Sequence, residues 1–137
     1  MSNVISILEP RNVTHVVVES LPNRKTLQAR YNLHPRTFNE WHKFLEIVPP
    51  AKNGYFKLDD VILLDEFWIA QKVFRLSQDD FKNAVVLTLD GTFEKLVAQY
   101  TRIPLIDYLK KSSQFSQHPV VLDTIARLEA DSEDEAV

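Results

Sequence analysis

A run of ten residues, NLHPRTFNEW at positions 32–41, most constrains how this chain can fold. A short helical pattern begins at Leu27 and can end at Asn32, because asparagine adopts the left-handed conformation of helix ends more readily than most residues. Pro35 suits the first turn of a second helix, since its φ is already helical and its missing amide proton needs no partner there. Two helices joined by so tight a turn are typical of a helix-turn-helix.

The second predicted helix, residues 35–46, has two chemically different faces. Phe38, Trp41 and Leu45 are spaced three and four apart, so they form one apolar face that can pack on the first helix. The opposite face has the residue types that reading the major groove of DNA requires, because arginine pairs with guanine, asparagine with adenine, and lysine with phosphate. An ordinary solvated helix surface would have the same pattern. The outward residues are Arg36, Asn39, Glu40 and Lys43.

The residues after this helix follow the order of a β-wing. Residues 47–50 end the helix with two prolines, residues 51–54 form a polar turn, and Tyr55 and Phe56 favour a strand. A further helix is predicted over residues 59–76. Its large apolar side chains cover more than one face, so we expect it to be buried on two sides.

Together these segments resemble the MerR-type winged helix-turn-helix over roughly a third of the chain. In that family a stretch such as GVSPRTLRRW precedes a proline-rich exit, a wing containing GYR and a helix with an acidic start. Two positions depart from this pattern: Asn32 stands where the family usually has glycine, and Phe56-Lys57 follows Gly-Tyr where the family usually has arginine. The matching residues are Leu33, Pro35, Arg36, Thr37, Phe38, Trp41, Pro49, Pro50, Gly54, Tyr55, Asp59 and Asp60.

The resemblance implies a sequence-specific regulator of transcription that binds double-stranded DNA, and specifically a homodimeric repressor at inverted repeats. Residues 35–46 would be its recognition helix and residues 51–57 its wing. Family members normally continue into one long dimerisation helix, which the breaks at Asp90-Gly91 and Pro104 forbid here. The chain therefore resembles the compact MerR-type repressors found with CRISPR-associated transposons.

The expected DNA contacts form three groups. In the first, the recognition helix would carry its contacts into the major groove, with His34 at the edge, where this histidine could equally be a helix cap. The wing would hold the flanking backbone or minor groove, with lysines in place of the family's arginine, and the first helix would hold phosphates. The major-groove residues are Arg36, Thr37, Asn39 and Lys43, the wing residues are Lys52, Asn53, Tyr55 and Lys57, and the phosphate contacts are Arg24, Lys25 and Arg30.

Charge is distributed unevenly along the chain, although the whole chain carries a formal charge of only -3. Residues 20–57 contain seven basic and two acidic side chains, a local net charge of +5, whereas the residues from 58 onward contain eight basic and fifteen acidic ones, a net charge of -7. A basic segment that coincides with the predicted reading helix favours binding to phosphates. The acidic remainder would face away from DNA.

The whole chain is expected to be mainly α with a small β component, in which a winged helix-turn-helix head precedes a short helical dimerisation region. A strand at 84–89 and a helix broken at Asp90-Gly91 are both compatible with the second half. The β-branched residues favour the strand, which could pair with residues 13–19. The predicted segments are 1–22 for a leader and short strand, 23–76 for the winged domain, 77–128 for dimerisation and 129–137 for an acidic disordered tail.

Composition and motifs argue against several classes of protein. The chain has no cysteine, so disulfides and thiolate metal sites are excluded. The chain has only two glycines and lacks hydrolase and nucleotide-loop motifs, so we expect no enzymatic activity and no cofactor. The sequence also indicates no metal site and no small-molecule effector. No apolar run approaches the ~18 residues of a membrane span, which predicts a cytoplasmic protein. Two rival functions remain, a winged protein-docking module and an excisionase-like protein that bends DNA.

Overall fold

A computed structural model describes residues 21–112 and 114–136, with backbone only for residues 132–136. These residues form a mainly helical fold, as predicted. The predicted strand at 13–19 lies outside the described residues. The helices are α1 (Arg24–Tyr31), α2 (Pro35–Leu45), α3 (Leu58–Lys72), α4 (Gln78–Phe81), α5 (Phe93–Thr101), α6 (Leu105–Lys111) and α7 (Pro119–Ala136), and α4 continues directly into a π-helical segment, Lys82–Val86. Within the described ranges no helix combines the length and the apolar character needed to cross a bilayer.

Helices α1 and α2 form the helix-turn-helix pair that the sequence predicts. The side chain of Asn23 accepts a hydrogen bond from the Thr26 amide and so caps the start of α1. Asn32 ends that helix in the left-handed conformation, with a φ of 54°. Pro35 occupies the first turn of α2, and Glu46, with a φ of 60°, ends it. Local side-chain chemistry therefore determines these helix ends.

Helix α3 lies at the centre of the core, as its apolar pattern predicts. The apolar face of α2 packs on both α1 and α3. The Tyr31 ring centroid lies 6.3 Å from that of Phe38 and 5.8 Å from that of Trp41, while Trp41 meets Phe67 of α3 edge-on at 4.8 Å. Phe67 is fully buried. Aromatic packing therefore fixes the orientation of α2 and leaves its polar face outward.

The segment expected to form the strands of a wing is instead a turn followed by a single β-bridge. The Gly54 amide donates to the Ala51 carbonyl at 2.8 Å, and Tyr55 pairs with Asn23 in an isolated antiparallel bridge. Phe56 then turns into the core, where it is 1% exposed, and Lys57 directly precedes α3. Phe56 is buried and α3 begins two residues later. The described residues between the turn and α3 are therefore too few to form paired strands.

The strand predicted at 84–89 is wrong, and the alternative of a broken helix is nearer to the structure, in which the helical segment ends at Val86 and the next helix begins at Phe93. The Ser77 hydroxyl accepts a hydrogen bond from the Asp80 amide and starts α4, whose backbone continues into the π-helical segment Lys82–Val86. Phe81 anchors this region because it is fully buried. The β preference of valine is a weak bias, and packing of the continuing helix on the core overrides it.

The C-terminal half of the described chain shares one hydrophobic core with the helix-turn-helix. This core extends from Leu27 in α1 to Leu128 in α7. Helix α7 continues to Ala136, so the disorder expected from residue 129 is contradicted over residues 129–136. Glutamate and alanine are good helix formers, and the buried Leu128 holds the preceding turn against the core, which allows the helix to continue.

Candidate nucleic-acid interface

An open cavity of about 360 Å³ lies between the beginning of α1 and the turn at 50–54. Each side of this cavity supplies basic side chains that the sequence predicts as DNA contacts. The turn itself depends on Asn53, which has a φ of 67°, a conformation that asparagine tolerates better than most residues. The lining residues are Asn23, Arg24, Lys25 and Gln28 from α1 and its cap, and Pro50, Ala51, Lys52, Asn53 and Gly54 from the turn.

A hydrogen bond connects this cavity to the outer face of α2. The Arg24 guanidinium donates to the Asn39 side-chain oxygen at 2.6 Å, although the two residues are fifteen positions apart in the chain. The cation therefore lies directly beside the exposed face of the second helix. It also orients the Asn39 amide, because the oxygen must point toward Arg24 and the NH₂ group away from it.

The outer face of α2 is arranged as its spacing predicts. Arg36, Asn39 and Lys43 are exposed, and Thr37 is half-buried. Glu40, which is acidic, is exposed on the same helix. The face is therefore accessible to a large partner without rearrangement of the core.

His34 is a helix cap, which is one of the two roles that the sequence permits. Its Nδ1 accepts a hydrogen bond from the Arg36 amide at 3.1 Å. Since a neutral imidazole carries its single proton on the other nitrogen when Nδ1 is an acceptor, the Nε2–H remains as a donor on this exposed side chain. The cap contact and a contact to a partner are thus compatible.

The predicted wing residues are only partly brought together. Lys52 and Asn53 line the cavity, whereas Tyr55 and Lys57 do not. Tyr55 is 64% exposed, which is high for an aromatic side chain, and Lys57 is exposed at the start of α3. The cavity therefore defines a compact basic group, and Tyr55 and Lys57 extend beyond it.

Arg30 does not belong to this surface, so its predicted role in holding phosphate is contradicted by its position. Its side chain is 15% exposed, and its Nη2 lies 2.8 Å from Asp65 Oδ2 and 2.7 Å from Asp123 Oδ2. The Tyr31 hydroxyl donates to the same Asp65 at 2.6 Å. The guanidinium is thus committed to a cluster that joins α1, α3 and α7. We call Arg30, Tyr31, Asp65 and Asp123 the ion cluster.

The contacts within the ion cluster raise the pKa values of Arg30 and Tyr31. Burial alone would lower the pKa of Arg30, but the hydrogen bond and charge of Asp65, followed by the charge of Asp123, outweigh burial and hold that pKa above its usual value. Burial and the neighbouring Asp65 raise the pKa of the Tyr31 phenol well above 10.0. Arg30 and Tyr31 therefore hold their protons more tightly in the fold than in an unfolded chain.

A buried histidine lies directly beneath the candidate interface. The His42 ring is 3% exposed and is held between Phe38, at 4.3 Å between ring centroids, and Phe56, at 5.2 Å. Its Nε2 has no hydrogen-bond partner within the described ranges. Burial, followed by the positive charge of Arg24, lowers the pKa of His42 to about 4. The fold therefore requires this histidine to be neutral.

Replacing His42 with phenylalanine is expected to stabilise the protein increasingly as the pH falls. The pKa of His42 is about 4 in the fold and 6.5 in an unfolded chain, so the unfolded state binds the extra proton first. Wild-type stability is lost as the pH falls from 6.5 to 4, and the loss approaches about 3 kcal/mol. Urea denaturation of both proteins between pH 4 and pH 8 would measure the difference, which should be constant above about pH 7.

The difference between the variant and the wild type is the quantity to measure, because a second group has the opposite effect. Burial, partly offset by Arg127, raises the pKa of Glu66 to about 7, so the folded state binds this proton more readily than the unfolded state. Glu66 thus favours folding as the pH falls, and subtracting the two curves removes its contribution. If the difference in free energy of unfolding between the His42 variant and the wild type did not change with pH, the lowered pKa of His42 would be contradicted.

Sequence reasoning missed three contributors to this region. Gln28 lines the cavity and lies four residues after Arg24, so helical spacing could have identified it. Asn23 also lines the cavity, and its position before a helix was a usable signal. The burial of His42 could also have been identified from spacing, because His42 lies four residues after Phe38 on the apolar face of α2.

Comparison with known proteins identifies no relative, since no family model, no curated protein and no solved structure matches the chain.

Proposed function

We propose that this chain is a sequence-specific, double-stranded-DNA-binding regulator of transcription that acts in the cytoplasm as a homodimeric repressor at inverted repeats. The observation that carries the proposal is the hydrogen bond between Arg24 and Asn39. It joins a basic cavity suited to phosphate with a helix face suited to base edges. A regulator needs these two kinds of contact side by side, because phosphate contacts supply affinity and base contacts supply specificity.

Helix α2 is the proposed recognition helix. The exposed Arg36 would donate two hydrogen bonds to a guanine, and Asn39 would pair with an adenine. Adenine recognition uses the amide oxygen of asparagine as an acceptor and its NH₂ group as a donor. Since a carbonyl oxygen has two lone pairs, Asn39 can accept from adenine while it still accepts from Arg24. Arg24 would thus hold the reading amide in the required orientation before DNA arrives.

The segment 51–57, a turn followed by a β-bridge, is the proposed counterpart of the wing. Lys25 and Lys52 face the same cavity from opposite sides, so one DNA phosphate between them would contact two cations. The beginning of α1 supplies further positive character, since helix amino ends attract phosphate. Tyr55 and Lys57 would extend this contact along the backbone. Arg30 is withdrawn from the contacts, because the ion cluster occupies it.

Dimerisation belongs to the same proposal. Two copies of α2 must lie about 34 Å apart to enter successive major grooves on one side of the duplex. Leu89 is 98% exposed and Leu87 57% exposed, in the loop that follows the π-helical segment. Apolar side chains this exposed are candidates for burial against a second copy. Sedimentation of the wild type and of Leu89→Asp, with and without DNA, would test this role.

Binding to the DNA upstream of the protein's own gene tests the function directly. Fluorescence anisotropy at two salt concentrations, beside a scrambled duplex, would separate specific from general binding. We expect tighter and salt-sensitive binding to the upstream duplex. Equal affinity for both duplexes, or none for either, would contradict a sequence-reading regulator.

Two substitutions should distinguish the residues that contact bases from those that contact phosphates. Arg36→Ala is expected to cost about 1 to 3 kcal/mol on the specific duplex and to relax the preference for one base, because a guanine loses its bidentate partner. Lys52→Ala should weaken specific and scrambled duplexes alike and reduce the dependence on salt. Arg102→Ala is the matched control, since Arg102 is an exposed cation that does not line the cavity. Equal losses on both duplexes for Arg36→Ala would refute base reading by this residue.

A further inference from the structure

A second cavity, of about 340 Å³, lies where the ends of α3 and α6 meet the chain before α7. Its size is within the range of about 300 to 1,000 Å³ that is usual for sites that bind small molecules. None of the predicted DNA contacts lines it. The side chains that determine its chemistry are Lys72, Arg75 and Lys111, which are basic, and Ile103, Tyr108 and Phe115, which are apolar or aromatic.

The charge of this cavity favours an anion. Three cations line it and no carboxylate does. The ends of α3 and α6 contribute only about half a negative charge each, so the three full positive charges outweigh them. Lys72, Arg75 and Lys111 form no ion pair with any carboxylate in the described ranges, in contrast to Arg30, which is fully paired. A bound anion would therefore supply a charge partner that the described residues do not.

The aromatic wall of the cavity is held in place from behind. The Tyr108 ring packs on Phe74 with 4.5 Å between ring centroids. The Phe115 ring meets Trp68 edge-on at 5.7 Å and 88°. Because Trp68 is 4% exposed and belongs to the core, Phe115 is positioned by the core itself. Such rings offer a planar molecule an apolar surface that needs little ordering on binding.

Arg75 lies just after the end of α3, and its side chain lines the cavity. Arg75 has a φ of 57°, and the following Leu76 amide donates to the Ala70 carbonyl, which closes the end of α3. Glycine is the usual residue at such a helix end, because any side chain is disfavoured in the left-handed conformation. A glycine at position 75 would therefore preserve this helix end while removing the guanidinium.

We propose that this cavity binds a small amphipathic anion, a molecule with a planar apolar ring and a carboxylate, sulfonate or phosphate group. The ring would lie against Tyr108 and Phe115, and the anionic group would accept hydrogen bonds from Arg75 and the two lysines. The proposal is independent of DNA binding, because the residues of the candidate interface do not line this cavity.

Two matched glycine substitutions test the proposal. Arg75→Gly removes the guanidinium and Arg102→Gly removes an exposed guanidinium from the end of α5, where Arg102 has a φ of 61° but does not line the cavity. Because glycine relieves the same left-handed conformation in both variants, neither should have a lower Tm than the wild type. The probe is 8-anilinonaphthalene-1-sulfonate, whose fluorescence rises when it enters an apolar site.

We expect saturable binding of one probe to the wild type and to Arg102→Gly, and a Kd higher by about tenfold or more for Arg75→Gly. Naphthalene-1-sulfonate should displace the probe, whereas uncharged naphthalene-1-methanol should not. Probe binding should also alter the fluorescence of Trp68, measured in the Trp41→Phe background, since Phe115 connects that ring to the cavity. Unsaturable binding, equal Kd values for the two arginine variants, or equal displacement by the uncharged compound would each overturn the proposal.

Discussion

Replacing Arg30 with methionine is expected to lower the free energy of unfolding by about 3 to 5 kcal/mol, because the change leaves buried carboxylates without their cation. Asp65 is 6% exposed and accepts both the Arg30 Nε, at 3.0 Å, and its Nη2, at 2.8 Å. Asp123 is held by the same Nη2. Methionine preserves much of the side-chain volume, so the loss reports the charge and not a cavity. Urea denaturation at pH 7 measures it.

Arg24→Met is the matched control for this change. Arg24 lies on the same helix but donates to the neutral Asn39, so its loss should alter stability by only about 0.5 kcal/mol or less. A loss for Arg30→Met as small as that for Arg24→Met would show that the ion cluster does not support the fold.

A triple variant separates the structural role of Arg30 from any contact with DNA. Changing Arg30 to methionine together with Asp65→Leu and Asp123→Leu removes every charge from the cluster, and buried ion clusters replaced in this way often keep or gain stability. The triple variant is expected to be more stable than Arg30→Met and about 1 to 3 kcal/mol less stable than the wild type, because only the Tyr31 hydroxyl then lacks its acceptor, and to bind DNA as the wild type does. A stable triple variant with weakened DNA binding would return Arg30 to the interface.

Replacing Gly91 with alanine is expected to destabilise the protein by about 3 kcal/mol, since there is no room for a side chain. A Cβ at this position would lie 1.8 Å from the Ala84 carbonyl oxygen and 2.9 Å from its carbonyl carbon. These are backbone atoms of the π-helical segment, so they cannot rotate aside as a side chain would. The chain after Asp90 can approach that segment closely only because residue 91 is glycine. Thermal and urea unfolding measure the cost.

Gly54→Ala is the matched control, because it adds the same methyl group at the protein's other glycine. The nearest atoms there are the Ala51 carbonyl oxygen at 2.9 Å and the Pro50 Cβ at 3.1 Å, so the conflict is milder and the turn at 50–54 is exposed. We expect a loss of about 1 kcal/mol at this position. Equal losses at the two glycines would show that the close approach to Ala84 does not constrain the fold.

Local sequence signals predicted where most of the described helices begin and end. Asn32 and Pro35 bound the turn between α1 and α2, and Ser77 and Thr92 cap α4 and α5 through their own hydroxyls. Each of these contacts joins residues no more than a few positions apart. A helix cap can therefore be predicted from a short stretch of sequence. The three- and four-residue spacing of apolar side chains in α2 can be predicted for the same reason.

The failures concern residues whose partners are distant in the chain. Arg30 appeared to belong to the basic surface, yet its partners lie on α3 and α7. Residues 84–89 appeared to favour a strand, yet residues 84–86 continue a helix that the buried Phe81 anchors, and residues 87–89 lie in the loop after it. In both cases the structure is determined by burial against a helix that is distant in the sequence. Neither composition nor spacing predicts which helix that will be.

The sequence by itself determined the helix-turn-helix pair and the exposed face of α2, because caps and helical periodicity act within one or two turns. Only the tertiary structure decided that Arg24 would meet Asn39, that Arg30 would be enclosed by Asp65 and Asp123, and that three cations would surround an aromatic cavity at the end of α3. Long side chains such as arginine can reach several partners. Packing of the whole chain determines which of these partners an arginine contacts. A buried charge is costly unless an opposite charge lies beside it, and the fold decides where that opposite charge is.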